Sequence, residues 1–319
     1  MSSENIISQL ANAISSDALI TDFSEREYFS MDVFDIDQVA DLVFQPRSKN
    51  EISIALKILS ETDYQIIPRG GGMSYTGGYT PSTKRSVIVD TSLLNQILEI
   101  NPEDMYITVE AGCTWKSIYQ ALKPMGMRLP FFGTNSGSMA TVGGGFSNGA
   151  LFFGTGKYGS AADNVLGMEV IIADGTLIKT GQNAFANSKP HHRTYGPDMT
   201  GLFCHDAGSL GIKVQATFPL IFWPKSIDYL SFAYKTLEDS VAALSSVSKS
   251  GLTEECYVLD PSSAGNLADV SNIEGAKSVI KVFDAAFLIK GTFSSGLAKI
   301  KSIPASSAAL ASEALETKI

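Results

Sequence analysis

Residues 68–78 read PRGGGMSYTGG, and five of these eleven residues are glycine. Glycine loses more conformational freedom on folding than any other residue, so such a cluster needs a structural reason. Either the backbone turns sharply, or another group approaches it more closely than a Cβ atom permits. Successive free amides in a loop bind anions, most often phosphate. Arg69 would add charge and Ser74 a hydroxyl donor, although a tight turn without a ligand explains this loop equally well.

A second glycine-rich stretch runs from residue 133 to residue 159 and contains SMATVGGG at 138–145. Two such loops around a βαβ-like segment suit a long ligand with two phosphates. The P-loop pattern is absent, because Gly156–Lys157 is followed by Tyr158. GTGKYG at 154–159 matches GxGxxG, but no good strand precedes it, so we interpret it as a chance match. An NAD(P)-binding protein is the weaker alternative that rests on this motif.

The length, net charge and cysteine spacing of the chain argue against several classes of protein. The chain has 319 residues and a net charge of −9, which predicts about two domains and argues against nucleic acid as a partner. No apolar run reaches the roughly 20 residues of a membrane span, and the first residues lack a secretory signal. The cysteines Cys113, Cys204 and Cys256 are far apart and show no metal-ligand spacing. We therefore expect reduced thiols and a cytoplasmic location.

Local sequence patterns predict helix starts, strands, a turn and the domain boundaries. Ser48 with Glu51 forms a capping-box pattern, and Thr114 and Thr236 are predicted helix N-caps. Residues 86–92, 105–112 and 209–222 favour strands, and Asp174–Gly175 favours a hairpin turn. Composition changes after Pro224. We predict an N-terminal helical segment at 1–37, a first domain at 38–224 and a partial second domain at 225–319.

Five ordered blocks carry a family resemblance. They are PRGGGMSYTGG (68–78), ITVEAGCTW (107–115), ATVGGGFSNG (140–149), KYGSAADNVLGMEVIIADG (157–175) and GPDMTGLFCHDAGSLGIKVQAT (196–217). Their order resembles the vanillyl-alcohol oxidase and para-cresol methylhydroxylase (PCMH) superfamily of flavoproteins, which includes D-lactate dehydrogenases and glycolate oxidase subunits. The resemblance runs from about residue 38 to residue 224.

The resemblance implies an α+β fold, with a two-subdomain FAD-binding domain of the PCMH type followed by an incomplete α+β cap domain. FAD would lie between the subdomains. It implies contacts with FAD at Pro68, Arg69, Gly70, Gly71, Gly72, Met73, Ser74, Gly137, Ser138, Thr141, Gly143, Gly144, Asn148, Gly211 and Ile212. In this interpretation the glycines let amides touch the diphosphate, and a Cβ atom on Gly71 would occupy the diphosphate's place.

Two departures from the family pattern affect these expectations. Some members attach FAD through a histidine that follows the triple glycine, whereas this chain has Met73 there, so we expect non-covalent FAD. His191 and His192 are alternative attachment points, but their polar surroundings predict solvent exposure. The cap also stops early, which suggests a fragment, one chain of a two-chain enzyme, or a flavin-binding module that is inactive alone.

The resemblance implies oxidation of an alcohol, phenol or 2-hydroxy acid by hydride transfer to the flavin. The partners expected are a small-molecule substrate, an electron acceptor (oxygen, a quinone or a cytochrome), and a partner chain or a second copy. His205 is the candidate catalytic base, with Tyr158 and Lys157 as alternatives. We interpret Glu254–Glu255 as a solvated turn. The phenylalanines of the second glycine stretch are either core residues or the walls of a phenol pocket.

Overall fold

A computed structural model describes residues 3–32, 37–194, 196–225 and 236–258. The helices in this part of the chain are α1 (Ser3–Ala13), α2 (Phe23–Ser30), α3 (Lys49–Leu59), α4 (Trp115–Leu122), α5 (Val142–Ser147), α6 (Thr155–Tyr158) and α7 (Leu237–Lys249). The strands are β1 (Leu19–Ile20), β2 (Leu42–Phe44), β3 (Gln65–Arg69), β4 (Ser86–Asp90), β5 (Ile97–Asn101), β6 (Tyr106–Glu110), β7 (Met127–Arg128), β8 (Gly167–Ile171), β9 (Leu177–Lys179), β10 (Ile212–Pro219) and β11 (Ile221–Phe222).

The first subdomain is built on a four-stranded sheet in the order β1-β2-β4-β3. Strands β2, β3 and β4 are parallel, and β1 pairs antiparallel with β2 at the edge. The N-terminal segment therefore contributes an edge strand to this sheet. All five residues of β4 are buried, as expected for a parallel strand that is covered on both faces.

Side chains of the first sheet alternate between two apolar layers, as the period of a strand requires. Val87 and Val89 pack with α1 and α3, whereas Ile88 faces the opposite layer with Ile67 and Tyr79. Phe29 of α2 packs against this second layer. The sheet is thus enclosed between α1 and α3 on one face and α2 on the other.

The second subdomain is a five-stranded antiparallel sheet in the order β5-β6-β10-β8-β9. The central strand β10 pairs with β6 and β8, with a register shift between Lys213 and Gln215 against β8. A large core cluster lies against this sheet, in which Trp115 packs edge-on against Phe131 and Phe218. Phe146 of α5 stacks on Phe218, so α5 is fixed to the second sheet.

The two sheets share one apolar layer. Ile171, Ile212 and Val214 of the second sheet belong to the same cluster as α1 and α3 of the first. Lys49 of α3 also donates to the buried Glu169 carboxylate of β8 at 2.6 Å. This shared layer holds the ends of β3, β4 and β10 in one place.

The predicted caps are present. The side chains of Ser48, Thr114 and Thr236 each accept a hydrogen bond from the amide three residues later. The reciprocal half of the capping box differs, because Glu51 accepts from the Arg47 amide at 2.7 Å instead of the Ser48 amide. The predicted hairpin turn at Asp174–Gly175 joins β8 to β9, with Gly175 at φ +81°.

Candidate functional site

A cleft lies between the two subdomains and encloses about 430 Å³ of open space, part of it continuous with solvent. The carboxyl ends of the parallel strands β3 and β4 open onto it, which is where ligands bind in such sheets. Residues from five segments line it: Pro68, Arg69, Gly70, Gly78, Tyr79, Thr91, Gly143, Gly144, Ser147, Asn148, Ala207, Gly208, Ile212 and Lys213. The two glycine-rich stretches therefore meet at one place.

The triple glycine packs against protein and not against open space. A Cβ atom on Gly70 would overlap with Oγ1 of Thr141, and one on Gly71 would overlap with the carbonyl oxygen of Met139. Gly72 has φ +66°, a left-handed conformation that favours glycine. The expectation that a Cβ atom on Gly71 would fill the diphosphate's place is therefore wrong. Gly71 lets the backbone of residues 68–74 touch the backbone at Met139.

Gly144 leaves room on the cleft side. A Cβ atom there would meet only Oγ1 of Thr141, at 3.4 Å. Gly208, at φ +80°, instead allows the turn after Asp206 to approach the ring of Pro68, which a Cβ atom would meet at 3.1 Å. Glycines around the cleft thus serve two purposes, close packing of loops and space for a ligand.

Arg69 is held in an aromatic cage at the edge of the cleft. Its guanidinium carbon lies 4.9 Å from the Phe29 ring, 5.5 Å from the Tyr79 ring and 5.9 Å from the Tyr28 ring. Its side chain is 9% exposed, and Nη1 lies 3.5 Å from the Asp90 carboxylate. That carboxylate also accepts at 2.7 Å from the side chains of Gln45 and Ser92.

Three buried polar atoms at this site have no hydrogen-bond partner among the described residues. They are Nε of Arg69, the hydroxyl of Tyr79 and Oγ1 of Thr141. Buried polar groups are almost always hydrogen-bonded in folded proteins, so each such group calls for an explanation. Arg69 and Tyr79 line the cleft, and both groups are donors. The donor set therefore fits an anionic ligand that carries several acceptor oxygens, such as a diphosphate.

A buried ion pair fixes the floor of the cleft. The side chains of Lys213 and Asp206 are each 3% exposed and contact each other. Burial lowers the pKa of Lys213, and the Asp206 carboxylate opposes that change. Asp206 also accepts from the amides of Gly208 and Leu210, at 2.9 and 3.4 Å. The pair thus holds the turn that contacts Pro68 in place.

Seven of the residues predicted to contact FAD line the cleft, namely Pro68, Arg69, Gly70, Gly143, Gly144, Asn148 and Ile212. The others lie outside that lining: Gly71, Gly72, Met73, Ser74, Gly137, Ser138, Thr141 and Gly211. Thr141 lies directly behind Gly70, and the amide of Lys116 donates to the Gly137 carbonyl at 3.0 Å. Their contacts with the cofactor stay predictions.

The predicted histidines lie outside the cleft lining. His205 is exposed, has φ 56°, and rests its ring on Gly149 beside the cleft residue Asn148. Its amide donates to the Phe146 carbonyl at 2.8 Å, which attaches this turn to α5. His191 and His192 are exposed, as their polar surroundings predicted. A catalytic role for His205 stays a prediction.

Sequence reasoning missed half of the residues that line the cleft. Tyr79 follows the last glycine of the 68–78 stretch, and Thr91 follows β4, where its hydroxyl donates to the Arg69 carbonyl at 3.1 Å. The carboxyl-end position of Thr91 beside β3 could have identified it, because adjacent parallel strands end at the same edge. Nothing in the pattern could have distinguished Tyr79 or Lys213 from ordinary core residues.

The residues that follow α7 dock on the second subdomain. Arg128, with a side chain 3% exposed, forms an ion pair with Glu254, which also accepts from the Tyr158 hydroxyl at 3.2 Å. Glu255 accepts from the Gly156 amide at 3.4 Å. The interpretation of Glu254–Glu255 as a solvated turn is therefore wrong. We call residues 251–258 the docking segment.

The phenylalanines of the second glycine stretch divide into two groups. Phe131 and Phe146 are fully enclosed core residues. Phe132 and Phe153 are stacked at 5.6 Å and half-buried, and Phe152 contacts both Phe153 and Tyr257 of the docking segment. The second group therefore packs where the docking segment contacts the second subdomain. GTGKYG contains only the four-residue helix α6 and follows no strand, in keeping with a chance match.

Comparison with known proteins identifies the part of the chain around the cleft. Residues 40–181 match the family described as FAD binding domain. These residues are an FAD-binding domain. The match includes β2 to β9 and therefore both glycine stretches, and the donor set at the cleft fits the diphosphate of FAD.

Curated relatives and solved structures agree with this assignment. The chain is 29% identical over 213 residues to D-lactate dehydrogenase [cytochrome] 1 of Saccharomyces cerevisiae, covering 66% of this chain and 35% of that protein. It is 32% identical over 207 residues to the glycolate oxidase subunit GlcD of Bacillus subtilis, covering 65% and 42%. The chain thus spans less than half the length of these relatives.

The structure of p-cresol methylhydroxylase with bound substrate superimposes with a TM-score of 0.67 at 20% identity, covering 76% of this chain and 48% of that one. This likeness shows the PCMH-type fold of the FAD-binding domain. Among the described residues, none of the helices is long and apolar enough to cross a membrane. Nor do the described His, Cys, Asp and Glu side chains form a cluster able to hold a metal ion.

Proposed function

We propose that this chain is an FAD-dependent oxidoreductase, or the FAD-binding part of one, that oxidises a 2-hydroxy acid or a related alcohol. The observation that carries the proposal is the cleft of the FAD-binding domain, where the two glycine stretches meet and the buried donors of Arg69 and Tyr79 have no partner among the described residues. Such donors suit a ligand with acceptor oxygens.

Residues 68–74 hold the diphosphate and ribityl part of FAD in this proposal, with Arg69 supplying positive charge. Thr141, Gly143, Gly144 and Asn148 form the opposite wall with Gly137 and Ser138, and Gly211–Ile212 contacts the cofactor from the start of β10. Bound FAD supplies the hydride acceptor that no side chain can provide. Met73 has no nucleophilic nitrogen, so the cofactor is held without a covalent bond at that position.

The relatives favour a 2-hydroxy acid as substrate. Their names specify D-lactate, glycolate and, for an Escherichia coli protein 32% identical over 166 residues, D-2-hydroxyglutarate. A phenol is the alternative, because p-cresol methylhydroxylase has the same fold, but at 20% identity that likeness concerns fold alone. The electron acceptor that completes the cycle is a cytochrome, a quinone or oxygen, and the substrate side of the site is completed by a partner chain, a second copy or further residues of the same protein.

The first test is a visible absorption spectrum of the purified chain, before and after acid precipitation. We expect a flavin spectrum whose colour moves into the supernatant, since the cofactor is held by packing and hydrogen bonds. Colour that stays in the pellet would contradict non-covalent binding. A chain that carries no flavin and takes up none from added FAD would contradict the proposed function.

The second test is anaerobic reduction of the bound flavin. We expect D-lactate, glycolate or D-2-hydroxyglutarate to bleach the flavin band, and 4-methylphenol to leave it unchanged. Bleaching by the phenol alone would overturn the substrate class. Retained flavin that none of these compounds reduces would favour the alternative of a flavin-binding module that needs a partner chain or further residues for activity.

His205→Gln tests the proposed base. The histidine ring lies against Gly149, the residue after Asn148 in the chain, and outside the cleft lining. If it removes the substrate's proton, the variant should reduce its flavin about 100-fold more slowly while FAD affinity is unchanged. Equal reduction rates in the variant and the wild-type chain would remove His205 from the mechanism.

A further inference from the structure

We infer that the hydroxyl of Tyr79 donates a hydrogen bond to a phosphate oxygen of the FAD diphosphate, and so acts as a cofactor-binding residue. The inference rests on the proposed function, because it requires FAD to occupy the cleft. It adds a specific side chain to a site otherwise formed mainly by backbone amides. Tyr79 lines the cleft beside Arg69 and Gly78.

The ring of Tyr79 is fixed by packing. It belongs to the small apolar layer under α2, together with Val43, Ile67 and Ile88, and it is 6% exposed. Displacement of the whole ring would disturb this layer, so the hydroxyl keeps one position. A side chain held in this way can donate to a ligand with little loss of conformational entropy.

The hydroxyl has no partner among the described residues, and its oxygen is buried in the ligand-free chain, so the proposed contact forms as groups bordering the cleft move aside for the ligand. A buried hydroxyl without a partner destabilises the ligand-free protein. Burial raises the pKa of Tyr79 to about 12, with Asp32 and Tyr28 adding to the rise and Arg69 opposing it. The phenol therefore stays protonated near neutral pH and can donate.

The neighbouring side chain of Arg69 indicates that the ligand atom bound by Tyr79 is negatively charged. The guanidinium carbon of Arg69 lies 5.5 Å from the centroid of the Tyr79 ring, and Nε of Arg69 also has no partner among the described residues. The Asp90 carboxylate is 3.5 Å from Nη1 and is bound more closely by Gln45 and Ser92. Two adjacent donors, one charged, favour an anionic oxygen over a ring nitrogen.

Tyr79→Phe tests the inference, because it removes one oxygen and keeps the ring. The affinities of the full chain for FAD, ADP and riboflavin should be measured by titration calorimetry, together with the melting temperature of the ligand-free chain. ADP carries the diphosphate without the flavin, and riboflavin carries the flavin without phosphate. Tyr75→Phe is the matched control, since Tyr75 lies in the same loop and is 71% exposed.

We expect Tyr79→Phe to weaken FAD and ADP binding equally, by about tenfold, and to leave riboflavin binding unchanged. The ligand-free variant should melt at the same or a higher temperature than the wild-type chain, because a buried hydroxyl without a partner has been removed. Tyr75→Phe should change none of these values.

Three results would overturn the inference alone, namely unchanged FAD affinity, a loss confined to FAD and riboflavin, or a lower melting temperature of the ligand-free variant. The second result would place the hydroxyl at the flavin, and the third would give it a partner in the protein. A wild-type chain that binds neither FAD nor ADP would instead overturn the proposed function, and this inference with it.

Discussion

Arg69 and Arg128 are two buried arginines with similar aromatic surroundings and different partners. Three rings lie within 5.9 Å of each guanidinium carbon, and Nε has no partner among the described residues in either case. Arg69 lies near Asp90, a residue of the strand next to its own, whereas Arg128 pairs with Glu254 of the docking segment.

In the proposed function, the same side chain serves a ligand at Arg69 and chain packing at Arg128. Gln45 and Ser92 donate to one oxygen of the Asp90 carboxylate, and Arg69 approaches the other with Nη1 at 3.5 Å, which leaves Nε of Arg69 without a partner among the described residues. Glu254 is the carboxylate that compensates Arg128 among the described residues, and it comes from a distant part of the chain. We therefore expect changes at Arg69 to alter cofactor binding and changes at Arg128 to alter docking.

The largest effect should follow from Glu254→Ala, which leaves the Arg128 guanidinium buried without its carboxylate. Breaking a fully buried ion pair by removing one partner costs about 3–5 kcal/mol of unfolding free energy, and because the Glu254 side chain is 30% exposed we expect a loss of up to about 3 kcal/mol here. We expect a loss of about this size in urea unfolding, with faster amide exchange in residues 251–258.

The double variant Arg128→Met with Glu254→Ala separates two explanations for that loss. Replacing both partners by apolar groups removes the uncompensated charge, so much of the stability should return. If the double variant is as unstable as the sum of the two single variants, the loss comes from packing, and the proposed role of the ion pair is wrong.

A smaller effect should follow from Arg69→Met, and here the affected quantity is FAD affinity. A hydrogen bond to a charged group contributes about 1.5–3 kcal/mol, so affinity should fall by roughly 10- to 100-fold. Arg128→Met is the matched control, because it removes an equally caged arginine away from the cleft lining, and its FAD affinity should remain near the wild-type value. Equal losses in the two variants would contradict the comparison.

Local features of this molecule could be predicted from sequence, and long-range partners could not. The caps at Ser48, Thr114 and Thr236 were predictable because each side chain binds an amide only three residues away. The meeting of the two glycine stretches followed from the order of the family's blocks.

The residues that surround the buried arginines could be identified only from the fold. Arg128 and Glu254 are 126 positions apart, and the aromatic residues around Arg69 come partly from α2. The glycine pattern likewise could not distinguish a ligand from another loop, so the reason given for Gly71 was wrong. The sequence could not identify Tyr79. Nothing in its sequence context shows that its hydroxyl is buried and lacks a hydrogen-bond partner among the described residues.

The smallest effect concerns pH and again separates the docking segment from the cleft. Burial raises the pKa of the Glu255 carboxyl, although the amides of Gly156 and Cys256 oppose the rise, and Glu255 in turn adds to the raised pKa of Tyr257. A raised pKa means that the folded state binds the proton more tightly than the unfolded state. The stabilisation is therefore complete below the ordinary pKa of glutamate and is lost as pH rises through the raised value.

We consequently expect residues 251–258 to become better protected from amide exchange as pH falls from about 7 to about 4, after correction for the intrinsic exchange rate. Glu255→Gln should remove this dependence, because its amide cannot titrate and keeps an acceptor for Gly156. Glu254 faces the same loop but is paired with Arg128, so Glu254→Gln should lower protection at every pH without removing the slope. Protection that instead falls as pH falls in the wild-type chain would mean that the amide hydrogen bonds to Glu255 outweigh its burial. The docking segment would then be held by a charged carboxylate at Glu255, as it is by Glu254 at Arg128.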